Sequence, residues 1–149
     1  MFEKLKAKIA AHHSSHPLAK QRAEFLLVTA DTPLERKAHF TAEVVGAGAA
    51  YQAFQAFENN EAHNKGIEGK VSHARSKEII VGLAEGRVVK LVEEKRLPFT
   101  SETEKVKFIK QAQKHAAADA KRAVRESGLY SQHELEPLDA DEKIAAKIM

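Results

Sequence analysis

The sequence predicts an all-α fold in which three long helices form a bundle and short amphipathic helices lie at both chain ends. Apolar residues recur at helical spacing through most of the chain, and no segment has the sustained alternation of a half-buried strand. Glycines and prolines are few and cluster between the periodic segments, which favours helices. The predicted long helices span about residues 33–62, 73–96 and 102–127, and the short ones span 2–11, 17–29 and 141–148.

Capping signals mark the start of each long helix. Residues 32–35, Thr-Pro-Leu-Glu, combine an N-cap, a first-turn proline and a glutamate three residues beyond the cap. Ser72 is the natural cap of the second long helix, which ends before Pro98. Residues 101–104, Ser-Glu-Thr-Glu, repeat the capping box, and Gly128 is a suitable C′ residue for the third long helix.

The order of elements divides the chain into three parts. Residues 1–32 form an N-terminal helical extension, and residues 33–130 form the helical domain. Residues 131–149 form an acidic C-terminal tail, whose short helix is capped by Asp139 or Asp141. We expect the helical domain to carry the core.

Composition limits the possible functions. A chain of 149 residues suits one domain with a genuine core, and the absence of cysteine excludes disulfides, cysteine-ligated metals and thiol nucleophiles. A mean hydropathy of −0.44 and the lack of a long apolar run exclude a transmembrane segment. Residues 100–128 are net positive and residues 129–149 net negative, but aromatic residues hardly interleave with the bases, so no strong nucleic-acid signal is present. With no secretion-signal pattern, we predict a cytoplasmic protein.

Small residues at helical spacing predict a tight crossing of the first two long helices. Gly46 and Ala50 lie four apart on the first, and Gly82 and Gly86 lie four apart on the second. Glycine in a helix interior costs about 0.5 to 1 kcal/mol relative to alanine, so a close approach of two backbones is the expected compensation. We therefore expect leucine at position 82 or 86 to lower the melting temperature.

Two pairs of His and acidic residues are candidate metal ligands. His39 with Glu43, and His115 with Asp119, have i, i+4 spacing on two different predicted helices. If those helices are neighbours, four ligands could converge on a divalent metal. The alternative is that each pair is an ordinary surface contact within one helix.

His73 is the centre of a second candidate site. It follows the Ser72 cap, and Lys77 and Glu78 come one turn later, with Tyr51 on the preceding long helix. As a ligand site, these residues would hold haem, a metal or a small apolar molecule. As a structural residue, a neutral His73 would be hydrogen-bonded and close the loop onto a neighbouring helix.

Several segments together resemble a known family. These are segments 40–53, 57–58, 72–80 and 91–93, together with Lys95. Their order and spacing resemble those of the CipC-like (concanamycin-induced protein C) family of fungal antibiotic-response proteins. The resemblance covers about residues 34–130.

The chain departs from the family pattern at three positions. Ala42 stands where the family usually has His, and Arg96 and Pro98 stand where it usually has Gly and Asp. The resemblance implies a small intracellular helical protein that rises under drug or other stress, with no reaction assigned.

The sequence thus favours a non-enzymatic stress-response protein that acts through self-association or partner binding, as a homodimer or higher homo-oligomer, without a cofactor. The alternative is a protein that binds haem, a divalent metal or a small apolar ligand near His73. A third interpretation is weak peripheral membrane attachment through residues 2–11, whose apolar positions are few.

Overall fold

The computed structural model describes residues 18–64, 72–127, 130, 132–140 and 142–143. Within them the fold is all-α, as the sequence predicts. Its helices are α1 (Ala19–Leu26), α2 (Leu34–Lys37), α3 (Ala42–Asn64), α4 (His73–Glu94) and α5 (Glu102–Glu126), followed by a 3-10 turn at Gln132–Glu134. The predicted helix 2–11 and most of the predicted helix 141–148 lie outside the described residues.

The three long helices α3, α4 and α5 pack against one another in pairs, and α1 packs on α3. Helices α4 and α5 run antiparallel, since Gln113 donates to the carbonyl of Glu85 at 3.1 Å and Lys105 pairs with Glu93 at 2.7 Å. Apolar side chains from all four helices fill one continuous core. Its fully buried members include Phe25, Val45, Phe54, Ile80, Ala84, Val88, Ala116, Ala120 and Val124.

Helices α3 and α5 approach each other closely at Gly46. A Cβ atom at Gly46 would lie 2.7 Å from the carbonyl oxygen of Ala112 and 2.9 Å from the amide nitrogen of Ala116. Ala50 is also buried on α3. Gly46 therefore permits a close approach, but its partner is the third long helix and not the second.

The prediction that Gly82 and Gly86 pack in the helix crossing is wrong. No atom of the described residues lies within 4 Å of the Cβ atom that either glycine would carry. The core face of α4 presents Ile80, Ala84 and Val88, which are fully buried. Positions 82 and 86 lie off this face on a helix with 3.6 residues per turn, so neither glycine packs in the core.

The predicted long helix 33–62 is interrupted at residues 38–41. Helix α2 ends at Lys37, and Thr41 starts α3 by accepting a hydrogen bond from the amide of Val44 at 3.2 Å. Thr32 does not cap a helix, because its hydroxyl accepts from the amide of Thr29 at 2.9 Å. The predicted caps Ser72 and Ser101 are confirmed, each accepting from the amide three residues on.

Two buried lysines join the segment between α1 and α2 to the end of α4. The ammonium of Lys37 donates to the carbonyls of Ala30 at 3.0 Å and Lys95 at 3.1 Å. The ammonium of Lys95 donates to the carbonyls of Leu26 at 3.1 Å and Val28 at 2.6 Å. We call these contacts the carbonyl joint. It fixes α1 and α2 to the bundle, and it contributes to the break after Lys37 by holding that side chain inward.

Helix α4 ends in a left-handed turn. Arg96 has a φ of 50°, and the amides of Arg96 and Leu97 donate back to the carbonyls of Glu93 and Val92. This is the Schellman arrangement, in which the residue after the cap is usually glycine.

None of the helices in the described part of the chain combines the length and apolar character that a bilayer-spanning segment needs. The proposed membrane contact through residues 2–11 lies outside the described residues.

Candidate functional site

The C-terminal residues 130, 132–140 and 142–143, here called the tail, fold back onto the first turn of α4. Tyr130 is buried, and its hydroxyl hydrogen-bonds the hydroxyl of Ser76 and donates to the carbonyl of Ser72 at 3.3 Å. Ser72 therefore caps α4 with its side chain and holds the tail with its backbone. The acidic tail is part of the folded structure at this end of the bundle.

His73 holds the middle of the tail. Its side chain is 2% exposed, and its Nδ1 atom accepts a hydrogen bond from the backbone amide of Glu136 at 2.8 Å. The ring also lies against Tyr130, with centroids 5.3 Å apart. Because Nδ1 is an acceptor, the neutral ring carries its proton on Nε2. That atom is buried and has no hydrogen-bond partner in the described chain.

Burial lowers the pKa of His73, and the nearby charges of Lys77 and Arg125 lower it further. Glu142 and Glu136 act in the opposite direction but do not reverse the shift. His73 is therefore neutral at physiological pH. This agrees with the structural interpretation of His73, although the element it contacts is the tail and not a neighbouring helix.

Lys77 pairs with two carboxylates of the tail. Its ammonium lies 2.8 Å from Asp139 and 2.5 Å from Glu142, whose side chain is 0% exposed. Burial alone would lower the pKa of Lys77, but the hydrogen bonds to these carboxylates outweigh it and raise the pKa. Lys77 is thus a charged residue held between α4 and the tail.

Helix α5 supplies two more cations to the same cluster. Lys121 lies 3.1 Å from Asp139, and Arg125 pairs with Glu142 and donates to the carbonyl of Glu136. Burial would raise the pKa of Asp139, but Lys77, the amide of Glu142 and Lys121 hold it well below its usual range. Asp139 also caps the last turn, accepting from the amide of Glu142 at 3.0 Å. Asp139 is therefore the predicted cap for which a capping hydrogen bond is present, whereas Asp141 lies outside the described residues.

A groove of about 650 Å³ lies between α4, α5 and the tail. Its apolar lining comes from α4 and from a proline of the tail, and its polar lining comes from two lysines and three carboxylates. Gly82 leaves this surface open, because no atom of the described residues lies within 4 Å of its Cβ position. The full lining is Ala74, Lys77, Glu78, Val81, Gly82, Lys121, Glu136, Pro137 and Asp139.

The structure brings together part of the predicted ligand site. Lys77 and Glu78 line the groove, and His73 holds the Glu136 wall in place without lining it. Tyr51 does not line this groove, and its ring lies under the guanidinium of Arg22, 4.7 Å from the centroid. Of the four predicted residues, this groove is lined by Lys77 and Glu78.

The predicted four-ligand metal site is also wrong. His115 and Glu43 do approach each other, with Nε2 and Oε1 3.9 Å apart. His39 instead lines a pocket with residues of α1, and Asp119 is buried near Arg22, whose pKa it helps to raise against the effect of burial. No cluster of three His, Asp or Glu side chains suited to a metal occurs among the described residues.

Sequence reasoning missed the contributions of Lys121, Arg125, Asp139 and Glu142 to this site. The available signal was the opposite net charge of residues 100–128 and 129–149. Opposite charges on consecutive segments are attracted, and here they meet in one cluster.

Comparison with known proteins gives one family. The family model described as "Virulence factor CipC-like" matches residues 28–127, which is more than half of the chain. Searches of curated proteins and of solved structures found no match. The family match begins just after α1 and ends before the tail.

Proposed function

The chain belongs to the virulence factor CipC-like family, and for this member we propose binding of a small, largely apolar molecule in the groove between α4, α5 and the tail. The protein acts as a non-enzymatic binding protein. This develops the ligand-binding interpretation of the sequence, with the groove at Gly82 in place of a pocket at Tyr51.

The observation that carries the proposal is the open glycine. Gly82 is in the interior of α4, where glycine costs about 0.5 to 1 kcal/mol relative to alanine, and no contact within the described chain offsets that cost. A side chain at this position would project into the groove. The absence of one keeps the groove open, which supports a role in binding.

The size and lining of the groove support a small organic ligand. A volume of about 650 Å³ is within the range of ligand pockets, which are mostly apolar with a few placed polar groups. Ala74, Val81 and Pro137 supply apolar surface, and helices α4 and α5 fix two sides of the groove.

The charges at the rim favour a neutral ligand. Lys77 and Lys121 already pair with carboxylates of the tail, so an anionic group would have to displace Asp139 to reach them. Glu78 is likewise engaged with Arg75 at 3.1 Å. We therefore assign the site to neutral apolar molecules.

The test uses Nile red, a neutral apolar dye whose fluorescence rises in an apolar site. We expect saturable binding to the wild-type protein and at least about tenfold weaker binding to Gly82→Leu, because leucine would occupy the groove. The matched control is Gly86→Leu. Gly86 is on the same helix and equally open, but it lines a different surface pocket beside Gln52. Equal affinity of wild type and Gly82→Leu would contradict the proposal.

Both leucine variants should remain folded. The Cβ atom of either leucine would lie more than 4 Å from every atom of the described residues outside its own stretch of helix, and each variant replaces a poor helix former by a good one. We expect melting temperatures about 2 to 4 °C above wild type, the reverse of the expectation from sequence. A loss of dye binding by Gly82→Leu is therefore distinct from unfolding.

Self-association is the second candidate function. Val89 on α4 is 40% exposed, and the open Gly86 lies one turn from it on the same helix. A second copy of the chain packing on this side of α4 would cover both. Sedimentation of wild type and Val89→Lys tests this, and a wild-type monomer at micromolar concentration would contradict it.

The stress-related role rests on the family resemblance. We propose that the bound molecule is a compound met during drug or other stress, and that the protein acts in the cytoplasm. The expected result is a rise in protein level under such stress, measured by quantitative immunoblotting of wild-type cells.

A further inference from the structure

The tail forms one wall of the groove and is held mainly by polar side chains of α4 and α5. Glu136, Pro137 and Asp139 line the groove from the tail side. The tail is attached to the first turn of α4 through side chains of Ser76, His73 and Lys77, and to α5 through Lys121 and Arg125. Of the described apolar residues of the tail, Tyr130 is buried and Leu135 is partly buried against the core. The attachment is therefore mainly polar.

We infer that the tail is a releasable wall of the groove and that protonation of His73 releases it. The inference rests on the proposed function of the groove and adds its regulation. In the closed state, neutral His73 accepts from the Glu136 amide and the groove is complete. In the open state, His73 is charged and the tail wall moves away.

Protonation of His73 removes the acceptor that holds the tail. An imidazolium ring has an N–H at both nitrogens, so Nδ1 would face the Glu136 amide as donor against donor. The new charge would lie in a buried site between the cations Lys77 and Arg125, and the facing carboxylates of Glu136 and Glu142 only partly offset them. The charged ring is thus incompatible with the docked tail.

The direction of the pH effect follows from the lowered pKa of docked His73. Once the tail is released, the ring regains a pKa of about 6.5 and takes up a proton below that pH. The tail is therefore fully held above pH 6.5, and docking weakens as the pH falls through the range between the released and docked pKa values. The slope is about tenfold per pH unit for one proton.

The other charged groups of the cluster do not cause this transition. Lys77 has a raised pKa, and Asp139 has a pKa far below its usual range, so their pair stays charged throughout the acid-to-neutral region. His73 is therefore the group to which a tail transition below pH 6.5 would belong.

The test follows tail docking in the wild-type protein by NMR. The protection factor of the Glu136 amide against hydrogen exchange reports the closed state, and the His73 ring carbon shifts report protonation. We expect protection to fall by up to about tenfold between pH 6.5 and 5.5, with the same midpoint as the His73 ring. A protected amide at a pH where the ring is charged would overturn the inference.

Two substitutions separate the role of His73 from other titrations. The side-chain oxygen of His73→Asn takes the place of Nδ1 as acceptor but does not titrate, so tail protection should become independent of pH. The matched control is His133→Asn, which removes an exposed histidine of the tail and should leave the pH dependence unchanged. A pH dependence that persists in His73→Asn, or disappears in His133→Asn, would overturn the inference. The wild-type titration decides the matter if either variant is unfolded.

Nile red binding at pH 7.5 and 5.5 connects the tail to the groove. We expect weaker binding at pH 5.5 in wild type and equal binding at both pH values in His73→Asn. Failure of the dye to bind at any pH would contradict the proposed function, whereas the NMR titration would still test tail release. Dye binding together with a tail that stays docked at pH 5.5 would contradict only the release.

Discussion

The two ends of α4 each hold a buried lysine, but the partners of the two lysines differ. At the C-terminal end, Lys95 donates to the backbone carbonyls of Leu26 and Val28. At the N-terminal end, Lys77 pairs with the side-chain carboxylates of Asp139 and Glu142. The pKa values shift accordingly, since burial lowers that of Lys95 and the carboxylates raise that of Lys77.

The carbonyl joint is a permanent connection. The carbonyl of Leu26 belongs to the last turn of α1 and that of Val28 follows it, where the helix dipole is negative and the last carbonyls have no helical partner. The Lys95 ammonium donates hydrogen bonds to both carbonyls, so no second charged group has to be buried as its partner. Because Lys95 also lies over the ring of Phe25, at 5.2 Å from its centroid, the joint is continuous with the apolar core.

The carboxylate end is built for release. Its acidic groups come from the tail, which contributes Tyr130 to the core and Leu135 at its edge, whereas the helices supply the rest of the core. Each separated charge would then be solvated by water, so opening costs less than breaking a buried pair in place. The effect of a buried lysine therefore depends on the segment that supplies its partner. Lys95 binds the end of α1 and stabilises the whole fold, whereas Lys77 binds the tail and stabilises a local contact.

The largest expected effect is at the carbonyl joint. Lys95→Met keeps the apolar stem but leaves the carbonyls of Leu26 and Val28 without their donor. We expect the free energy of unfolding to fall by about 2 to 4 kcal/mol, measured by urea denaturation followed by circular dichroism. Lys90→Met, an exposed site on α4, is the control and should change little. Equal stability of the two variants would show that the joint is not a structural connection.

A change at the α3–α5 crossing tests whether the two ends are independent. Gly46→Ala places a Cβ atom 2.7 Å from the carbonyl oxygen of Ala112, so the helices must move apart. We expect a loss of about 1 to 3 kcal/mol in global stability. Amide exchange in the tail should be unchanged at neutral pH, because the tail opens locally. Faster amide exchange in the tail of this variant would show that the two ends of α4 are not independent.

At the carboxylate end, Lys77→Met should affect the tail more than the bundle. Asp139 and Glu142 keep Lys121 and Arg125 as partners, and the tail can open to solvate what is left. We expect global stability to fall by only about 1 kcal/mol, with a larger loss of amide protection in the tail. The control is Lys107→Met on the exposed face of α5. A global loss as large as that of Lys95→Met would remove the distinction between the ends.

Much of the bundle is predictable from sequence because the signals are local. Ser72 and Ser101 each precede a periodic apolar run, and both caps form as expected. The break after Lys37 has no such local signal, and the Lys37 side chain there contacts the distant carbonyl of Lys95. The spacing of Gly82 and Gly86 led to a wrong prediction of a helix crossing. Spacing shows which residues share a helix face, but not whether that face packs against another helix.

The candidate site is predictable only on its α4 side. His73 and Lys77 were identified from their position after a cap and their resemblance to the family, and both contact the tail. Their partners Glu136, Asp139 and Glu142 lie more than fifty residues away along the chain. Only the charge contrast between neighbouring segments pointed to them, and charge alone does not specify which residues pair.

The smallest expected effect is next to the carbonyl joint, at Arg96. Its φ of 50° is in the left-handed region, which costs a residue with a Cβ more than it costs glycine. Arg96→Gly should therefore raise the free energy of unfolding by about 0.5 to 1 kcal/mol, measured by urea denaturation. Arg96→Ala shortens the side chain but keeps the Cβ, so it should give no such gain. A gain in Arg96→Ala equal to that in Arg96→Gly would mean that the arginine side chain, and not the backbone, is unfavourable. The tail should stay docked in both variants, since the left-handed turn is at the opposite end of α4.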